Sequence, residues 1–344
     1  MPRHLVNRPL RRHSMTSSPT SDLPTVLDIR AAAERLLGVA VRTPLLEAPL
    51  LNAQIGGRLL IKAEPLQRTG SFKFRGAYNR ISLIPQAARS NGVVAFSSGN
   101  HAQGVAAAAG IMGLPATVVM PSDAPAIKRA NTEALGAKVV LYDRHRDDRD
   151  AIGAEIANRA GATVVRPYDD PGIIAGQGTV GLEIAEQVKA LGVRPDAVLV
   201  CCGGGGLVSG TALALAETLP GVPVWCVEPE QFDDTRRSLQ AGRRQANPSD
   251  ARSICDALLS PTPGILTFEL NRRLLAGGLA VSDDDARNAM RASFEHFKLV
   301  VEPGGAVAIA AALSGKFPTA GQTIVAVASG GNVDPAMFRQ VLSG

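Results

Sequence analysis

Aromatic side chains are scarce, with one Trp, three Tyr and nine Phe in 344 residues. An excess of one charge is nearly absent too, once the first 21 residues are set aside. They hold Arg3, Arg8, Arg11 and Arg12 and no acid, and taking these four from the 36 basic residues leaves 32 against 31 acidic ones. A body so balanced and so poor in rings lacks the basic, aromatic-studded face that grips nucleic acid, and no such partner is expected. Cysteine is limited to Cys201, Cys202, Cys226 and Cys255, without a CxxC pair or a histidine at metal-ligand spacing. That argues against a disulfide framework and a structural zinc site, and fits a reducing, cytoplasmic setting. Long apolar runs are missing as well: the most hydrophobic stretch, 104–120, is interrupted by Gly110, Gly113 and Pro115, so no membrane span is expected.

What is present is a globular composition, 45% hydrophobic with 35 glycines, at a length that suggests about two domains. Residues 1–21, Arg-rich, Ser-containing and with a second Met at position 15, are expected to be a disordered basic tail. Helical spacing follows over 26–37 and a short strand over 58–63. From Val93 the pattern becomes rhythmic. Strands at 93–98, 116–120, 137–142 and 162–167 alternate with helices at 102–112, 124–135 and 147–160. The rhythm resumes with helix 174–191, strand 197–202, helix 207–219, strand 222–229 and a last strand at 323–329. β-Branched strands alternating with helices of this length indicate an α/β protein with two parallel sheets. The Arg-, Ser- and Pro-rich stretch 240–264 reads as a surface excursion.

Ligands of open α/β sheets gather where strands end, so the loops just after strands are the informative places. Gly203-Gly204-Gly205-Gly206 joins a buried-type strand directly to a helix. Bare backbone N–H groups at a helix N-terminus can close around a phosphate, although the alternative is a merely tight turn. In Gly70-Ser71-Phe72-Lys73-Phe74 a lysine stands between two phenylalanines. Apolar neighbours lower an amine's pKa, and a neutral amine attacks an aldehyde to form a Schiff base; an ordinary surface cation is the alternative. Ser97-Ser98-Gly99-Asn100-His101 precedes an Ala-rich helix, where it either holds a carboxylate or caps the helix. Ser329-Gly330-Gly331-Asn332 ends an apolar strand, and its glycines admit a flat ring or simply a turn.

Taken together, SFKFRGA (71–77), SSGNHAQG (97–104), AGQGT (175–179), CGGGGLVSG (202–210), VEPEQFDD (227–234), VEPGGA (301–306) and SGGNVD (329–334) stand in an order that resembles the fold-type II pyridoxal-phosphate enzymes of the serine/threonine dehydratase and serine racemase group. The resemblance spans essentially 25–340. It implies a tryptophan synthase β-like fold: a large cofactor domain from 22–89 and 169–344, a small domain at 90–168, twisted parallel-rich sheets flanked by helices, and a homodimer. It further implies that Lys73 holds pyridoxal 5'-phosphate covalently, with Phe72 beneath the ring, Asn100 at the ring oxygen, Gly203, Gly204, Gly205 and Gly206 at the phosphate, Ser329 at the pyridine nitrogen and Glu302 nearby. Ser97, Gly99, Asn100 and His101 would meet the substrate, and Ser98 stands where racemases of the group deliver a proton opposite the lysine.

The implied activity is loss of water from L-threonine or L-serine to give a 2-oxo acid and ammonia, with serine racemisation or 3-hydroxyaspartate dehydration as alternatives. A plain phosphate-binding module is the non-enzymatic alternative. Glu228, the Phe232 carbonyl and Asp234 match a site for Mg²⁺ or Ca²⁺, oxygen ligands suited to hard cations. Arg149 matches a position that reaches toward the active site and could take a second carboxylate. Tyr168 stands where threonine dehydratases often carry phenylalanine and serine racemases asparagine.

Overall fold

The computed structural model describes residues 23–344 except 98, 125, 144 and 145. The expected tail at 1–21 and the role given to Ser98 therefore fall outside the described residues. The chain opens with α1 (Val26–Leu36), started by a reciprocal cap between Thr25 and Asp28. Then come β1 (Leu45–Glu47), α2 (Pro49–Ile55), β2 (Arg58–Ala63) and α3 (Lys73–Ser82). The middle of the chain supplies β3 (Val93–Phe96), α4 (Asn100–Ile111), β4 (Ala116–Pro121), α5 (Ala126–Ala134), β5 (Lys138–Tyr142), α6 (Arg149–Ala160) and β6 (Thr163–Val164). It continues through α7 (Pro171–Ala190), β7 (Ala197–Cys201), α8 (Gly206–Thr218), β8 (Val224–Pro229), α9 (Asp234–Ala241) and α10 (Ile265–Leu274). The chain closes with β9 (Gly277–Val281), α11 (Asp283–Phe297), α12 (Pro303–Leu313), β10 (Thr323–Ala328) and α13 (Pro335–Ser343).

Two sheets result. One has the order β1-β2-β10-β7-β8-β9, and the other, drawn from the middle of the chain, the order β5-β4-β3-β6. Every pairing is parallel except β1 with β2. In the larger sheet β10 lies between β2 and β7, so the two ends of the chain share its centre. Strands β7 and β10 are almost wholly apolar because both faces are covered, whereas β2 carries Arg58 and the buried Lys62. Helix α12, nearly all Ala, Gly, Val and Ile, packs against β7, β8 and β10, and residues 303–312 of it are buried.

Most expected boundaries shift by one or two residues, and two shift further. The expected strand 162–167 is reduced to Thr163–Val164, since Pro167 has no N–H to give a ladder and its carbonyl turns to other work. The helix expected from 174 starts at Pro171, where the Asp170 carboxylate accepts from Ile173 N at 3.0 Å. The excursion 240–264 is largely irregular, yet Cys255 and Leu258 within it are buried against the larger core.

Candidate active site

Helix α3 begins at Lys73 because the chain before it is turned sharply and then pinned. Thr69 (φ 60) and Gly70 (φ 72) are both left-handed, and Ser71 forms an antiparallel bridge with Gly330. Phe72 N donates to Ser329 O at 3.1 Å and Gly331 N to Gly70 O at 2.9 Å. Two of the four strand-end loops are thereby zipped together. Lys73 Nζ donates to the Pro167 carbonyl at 2.9 Å and lies 5.1 Å from the centroid of the Phe72 ring. Burial pushes this amine down to about 8, against a smaller opposing pull from Cys201 and Glu302. Nearby, the Ser71 hydroxyl is fully buried with no partner.

The glycine loop leaves β7 and enters the thirteen-residue α8, with Gly205 left-handed at φ 97. Its outward-facing space is tightly used. A Cβ on Gly204 would drive into the Tyr168 ring, and one on Gly203 would come 3.1 Å from Leu258 Cα. The Gly204 carbonyl accepts from Thr267 Oγ1 at 2.7 Å and the Gly205 carbonyl from Ser209 Oγ at 2.8 Å. With these carbonyls engaged, the N–H side of a helix N-terminus is left for an anion. Thr267 is itself held by Asp169, whose carboxylate accepts from Ile265 N, Leu266 N and Thr267 N and so caps α10 from a distant part of the sequence.

Asn100 and His101 open α4, with Asn100 beside Gly330. Asn100 is buried; its Nδ2 donates to Glu302 Oε1 at 2.5 Å, and its Oδ1 accepts from Asn332 Nδ2 at 2.8 Å. Burial, reinforced by Asp256, pushes Glu302 up to about 7. Gly330 is required here, since a Cβ would strike the Glu302 carboxylate. His101 Nε2 lies 2.9 Å from the Val165 carbonyl, an acceptor, so that nitrogen carries the hydrogen. Burial and the nearby Lys73 push the imidazole down to about 3, and it is neutral. Ser97 Oγ accepts from Gly99 N at 3.2 Å. Ser329 is buried, its main chain held between Phe72 and Gly305.

Arg149 is exposed at the start of α6. It lines a cavity of about 480 Å³ together with Phe96, Arg166, Tyr168, Arg244 and Gly264. Glu228 and Asp234 lie at the end of β8 and the start of α9, both fully buried. The Glu228 oxygens accept from Thr235 N at 2.9 Å and Arg236 N at 2.8 Å, and Asp234 Oδ1 from Asn247 at 2.6 Å. Asp234 Oδ2 has no partner. Burial and then mutual repulsion push Glu228 well above the carboxylate range, while burial takes Asp234 to about 6. Among the described residues no three His, Cys, Asp or Glu side chains converge as a metal site, so a cation at this pair would need main-chain oxygen, such as that of Phe232, for a third ligand.

Several contributors escape a reading of motifs. The Pro167 carbonyl, the Asp169 cap and the Asn332 amide carry no signal of their own, although Asn332 stands inside SGGN. Arg75 is hidden in SFKFRGA. Its buried guanidinium bonds Glu64 through both oxygens (2.8 Å) and Glu183 (2.6 Å), while buried Lys62 bonds Glu183 (2.5 Å) and the Thr43 carbonyl. Only the closeness of Arg75 to Lys73 in the sequence hints that α3 is anchored from behind.

A desolvated amine, a strand-end glycine loop opening a helix, a buried amide donor and an orphaned hydroxyl on one wall fit a phosphorylated aldehyde cofactor. The family model described as pyridoxal-phosphate dependent enzyme matches residues 36–330. The chain is 44% identical over 317 residues to L-threo-3-hydroxyaspartate ammonia-lyase from Pseudomonas sp, covering 92% of this chain and 98% of that one. It is 40% identical over 321 residues to serine racemase from Schizosaccharomyces pombe, covering 93% and 98%. The solved structure of maize serine racemase superposes with a TM-score of 0.87 at 35% identity, over 93% of this chain and 97% of that one. On this sequence, fold and site, the chain belongs to the fold-type II pyridoxal-phosphate dependent enzymes, within the group of hydroxy-amino-acid ammonia-lyases and serine racemases.

Proposed function

We propose that the protein removes water from an L-hydroxy amino acid, releasing a 2-oxo acid and ammonia. The observation that carries this reading is the Lys73 amine, lowered to about 8 by burial and set between the Phe72 ring and the Pro167 carbonyl. Pyridoxal phosphate, when bound, supplies an aldehyde that condenses with amines and a conjugated ring that takes up an electron pair from Cα. Lys73 would hold it and, once displaced by the substrate amine, remove the proton from Cα as a general base near its own pKa. The N–H groups of Gly203, Gly204, Gly205 and Gly206 would bind the phosphate, and Asn100 Nδ2 would donate to the ring oxygen. Phe72 would support the ring from below, and buried Glu302 would order Asn100. Ser97, Gly99, Asn100 and His101 are assigned to the substrate carboxylate, His101 through its main-chain N–H, because its neutral ring gives its one hydrogen to the Val165 carbonyl.

Ser329 is assigned to the pyridine nitrogen. A neutral hydroxyl there does not keep the nitrogen protonated, which favours prompt departure of the β-hydroxyl over a long-lived negative charge at Cα. Elimination is therefore the principal outcome. Racemisation is the second reading, supported by the Schizosaccharomyces pombe relative and by Ser98, which stands in the sequence where racemases of the group carry their proton donor. Among substrates, serine, threonine and threo-3-hydroxyaspartate all fit the α-carbon chemistry. The third is favoured by the hydroxyaspartate ammonia-lyase relative and by Arg149 beside Tyr168 in the cavity. Mg²⁺ or Ca²⁺ fits the orphaned Asp234 Oδ2 and the crowded Glu228, with the Phe232 carbonyl as third ligand. Four free, buried thiols support a reducing, cytoplasmic location, and the group's habit supports a homodimer. No helix among the described residues is long and apolar enough to cross a membrane.

The experiment is release of oxo acid and ammonia from purified protein given L-serine, L-threonine and L-threo-3-hydroxyaspartate with cofactor and Mg²⁺, D-isomers being followed in parallel. Equal amounts of oxo acid and ammonia are expected. D-serine in excess of pyruvate would turn the assignment to a racemase, and silence on all three substrates would reject it.

A further inference from the structure

One hydrogen-bonded chain in the site has a direction that no titration of its own members can reverse. It starts at Thr69, a β-branched residue held at φ 60 and ψ 17, a left-handed conformation such residues avoid. A backbone outlier of this kind is a reason to ask what it positions. Here it turns the Thr69 carbonyl onto Asn332 Nδ2 at 2.7 Å. A carbonyl only accepts, so that end of the Asn332 side chain is its NH₂ group. The second hydrogen of the same nitrogen goes to Asn100 at 2.8 Å, which makes that end of Asn100 its oxygen. Asn100 therefore faces Glu302 with its own NH₂ group, at 2.5 Å, and has one further N–H to give. Glycine at position 70 belongs to the arrangement, because a Cβ there would come 2.5 Å from Asn332 Oδ1.

The polarity of Asn100 matters because its two ends have the same shape and opposite hydrogen-bonding character. Glu302 alone could not choose between them. An ionised carboxylate accepts from the amide nitrogen, whereas a protonated one donates to the amide oxygen, and burial holds Glu302 close to the midpoint near neutrality. An Asn100 turned over would present its oxygen to the electron-rich ring oxygen of the cofactor.

We propose that Asn332 is a positioning residue that copies the fixed direction of the Thr69 carbonyl onto Asn100, so that Asn100 always offers N–H to the cofactor. The proposal rests on the reading that this cleft takes pyridoxal phosphate with Asn100 at its ring oxygen. Its test is a double-mutant cycle on cofactor affinity, read by titrating apo-protein with pyridoxal phosphate and following the visible absorption band. Asn332→Asp has at most one hydrogen to give and cannot serve both Thr69 and Asn100, and is expected to weaken binding by about tenfold or more and to shift the band. Asn332→Ala, which adds no charge, is expected to weaken it by roughly three- to tenfold. In an Asn100→Ala background both substitutions should change affinity by less than about twofold, because the amide they orient is gone.

Equal losses in both backgrounds would mean that Asn332 only braces the turn, and would overturn the proposal. Retention of wild-type affinity and spectrum in Asn332→Asp would overturn it as well. Thermal melts of the apo-proteins show whether Asn332→Asp folds; if it does not, the Asn332→Ala arm decides alone. A wild-type protein that takes up no pyridoxal phosphate would overturn the parent reading and this proposal with it, whereas uptake by wild type with additive variants overturns the proposal alone.

Discussion

At the residue scale the site is a set of groups displaced from their solution behaviour by burial. Lys73 is the plainest case: Lys73→Ala is expected to abolish both the visible absorption of bound cofactor and oxo-acid release, while the far-ultraviolet circular dichroism stays that of the wild type. Survival of a borohydride-sensitive band in that variant would remove Lys73 from its role. Glu302 allows a prediction with a sign. Its carboxyl sits at about 7 in the fold and near 4.5 when exposed, because burial and Asp256 oppose its charge while Asn100, Lys128 and Lys73 favour it. Between those values the folded chain binds more protons than the unfolded one, so this group makes the apo-protein less stable as pH rises from about 4.5 to 7. Glu302→Gln should remove that slope, gaining on the order of 3 kcal/mol relative to wild type at pH 8 over pH 4. Urea melts at the two pH values measure it, and parallel slopes in the two proteins would refute it. Lys73 and the four glycines stood out in the sequence as an amine between two phenylalanines and a run without side chains, but residue type left a surface cation and a tight turn open, and their roles came from the resemblance of the motifs in order. Asn332 did not stand out, since its importance lies in a hydrogen-bond direction, and direction is a property of the fold.

Among elements, the strands and helices from 93 to 229 were legible because each strand is a block of β-branched residues and each crossover helix is long. The later helices α9 to α13 and the strand β9 were passed over, and the reason is visible in their sequences. Gly277–Val281 is mostly glycine and alanine, and α12 is so uniformly apolar that it has no polar face to mark its period. Helix α10 shows how tertiary contacts replace local signals: its N-cap position is Gly264, and the capping carboxylate comes from Asp169. Asp169→Ala is expected to cost about 1–2 kcal/mol and to weaken cofactor binding as well, because α10 carries the Thr267 hydroxyl that fixes Gly204. A loss of stability with unchanged cofactor affinity would disconnect α10 from the phosphate loop. The junction of β8 and α9 gives a second test. Mg²⁺ should raise the melting temperature of wild type and leave Asp234→Asn unmoved, and an equal rise in both proteins would place the cation elsewhere.

For the whole molecule, the site exists only when distant parts of the chain have met. Segments 69–76 and 329–332 are bridged directly, and the centre of the larger sheet sets β2 beside β10, strands from opposite ends of the sequence. An α/β fold with parallel sheets followed from strand and helix rhythm, but this pairing could not, because periodicity carries no information about partners. What holds the joint from behind is the buried charge cluster. Arg75 ties the 3₁₀ turn bearing Glu64 to Glu183 on α7, and Lys62 on β2 shares Glu183. Pairing with Arg75, with Lys62 adding, outweighs burial at Glu64 and holds its carboxyl below the usual value. A lowered carboxyl contributes stability above about pH 4.5 and loses it as the pH falls through the folded value. Arg75→Met leaves Glu64 buried without that cation, and is expected to cost about 3–5 kcal/mol at pH 7. Because the lost interaction requires an ionised Glu64, the difference between variant and wild type should shrink on acidification toward pH 3. Arg75→Lys keeps the charge but cannot meet both Glu64 oxygens and Glu183 at once, so it should fall between the two. Urea melts across that pH range settle the matter: a difference that stays constant with pH would mean that Arg75 acts through packing of its stem, and would leave the joint to the main-chain bonds between 69–76 and 329–332 and the pairing of β2 with β10.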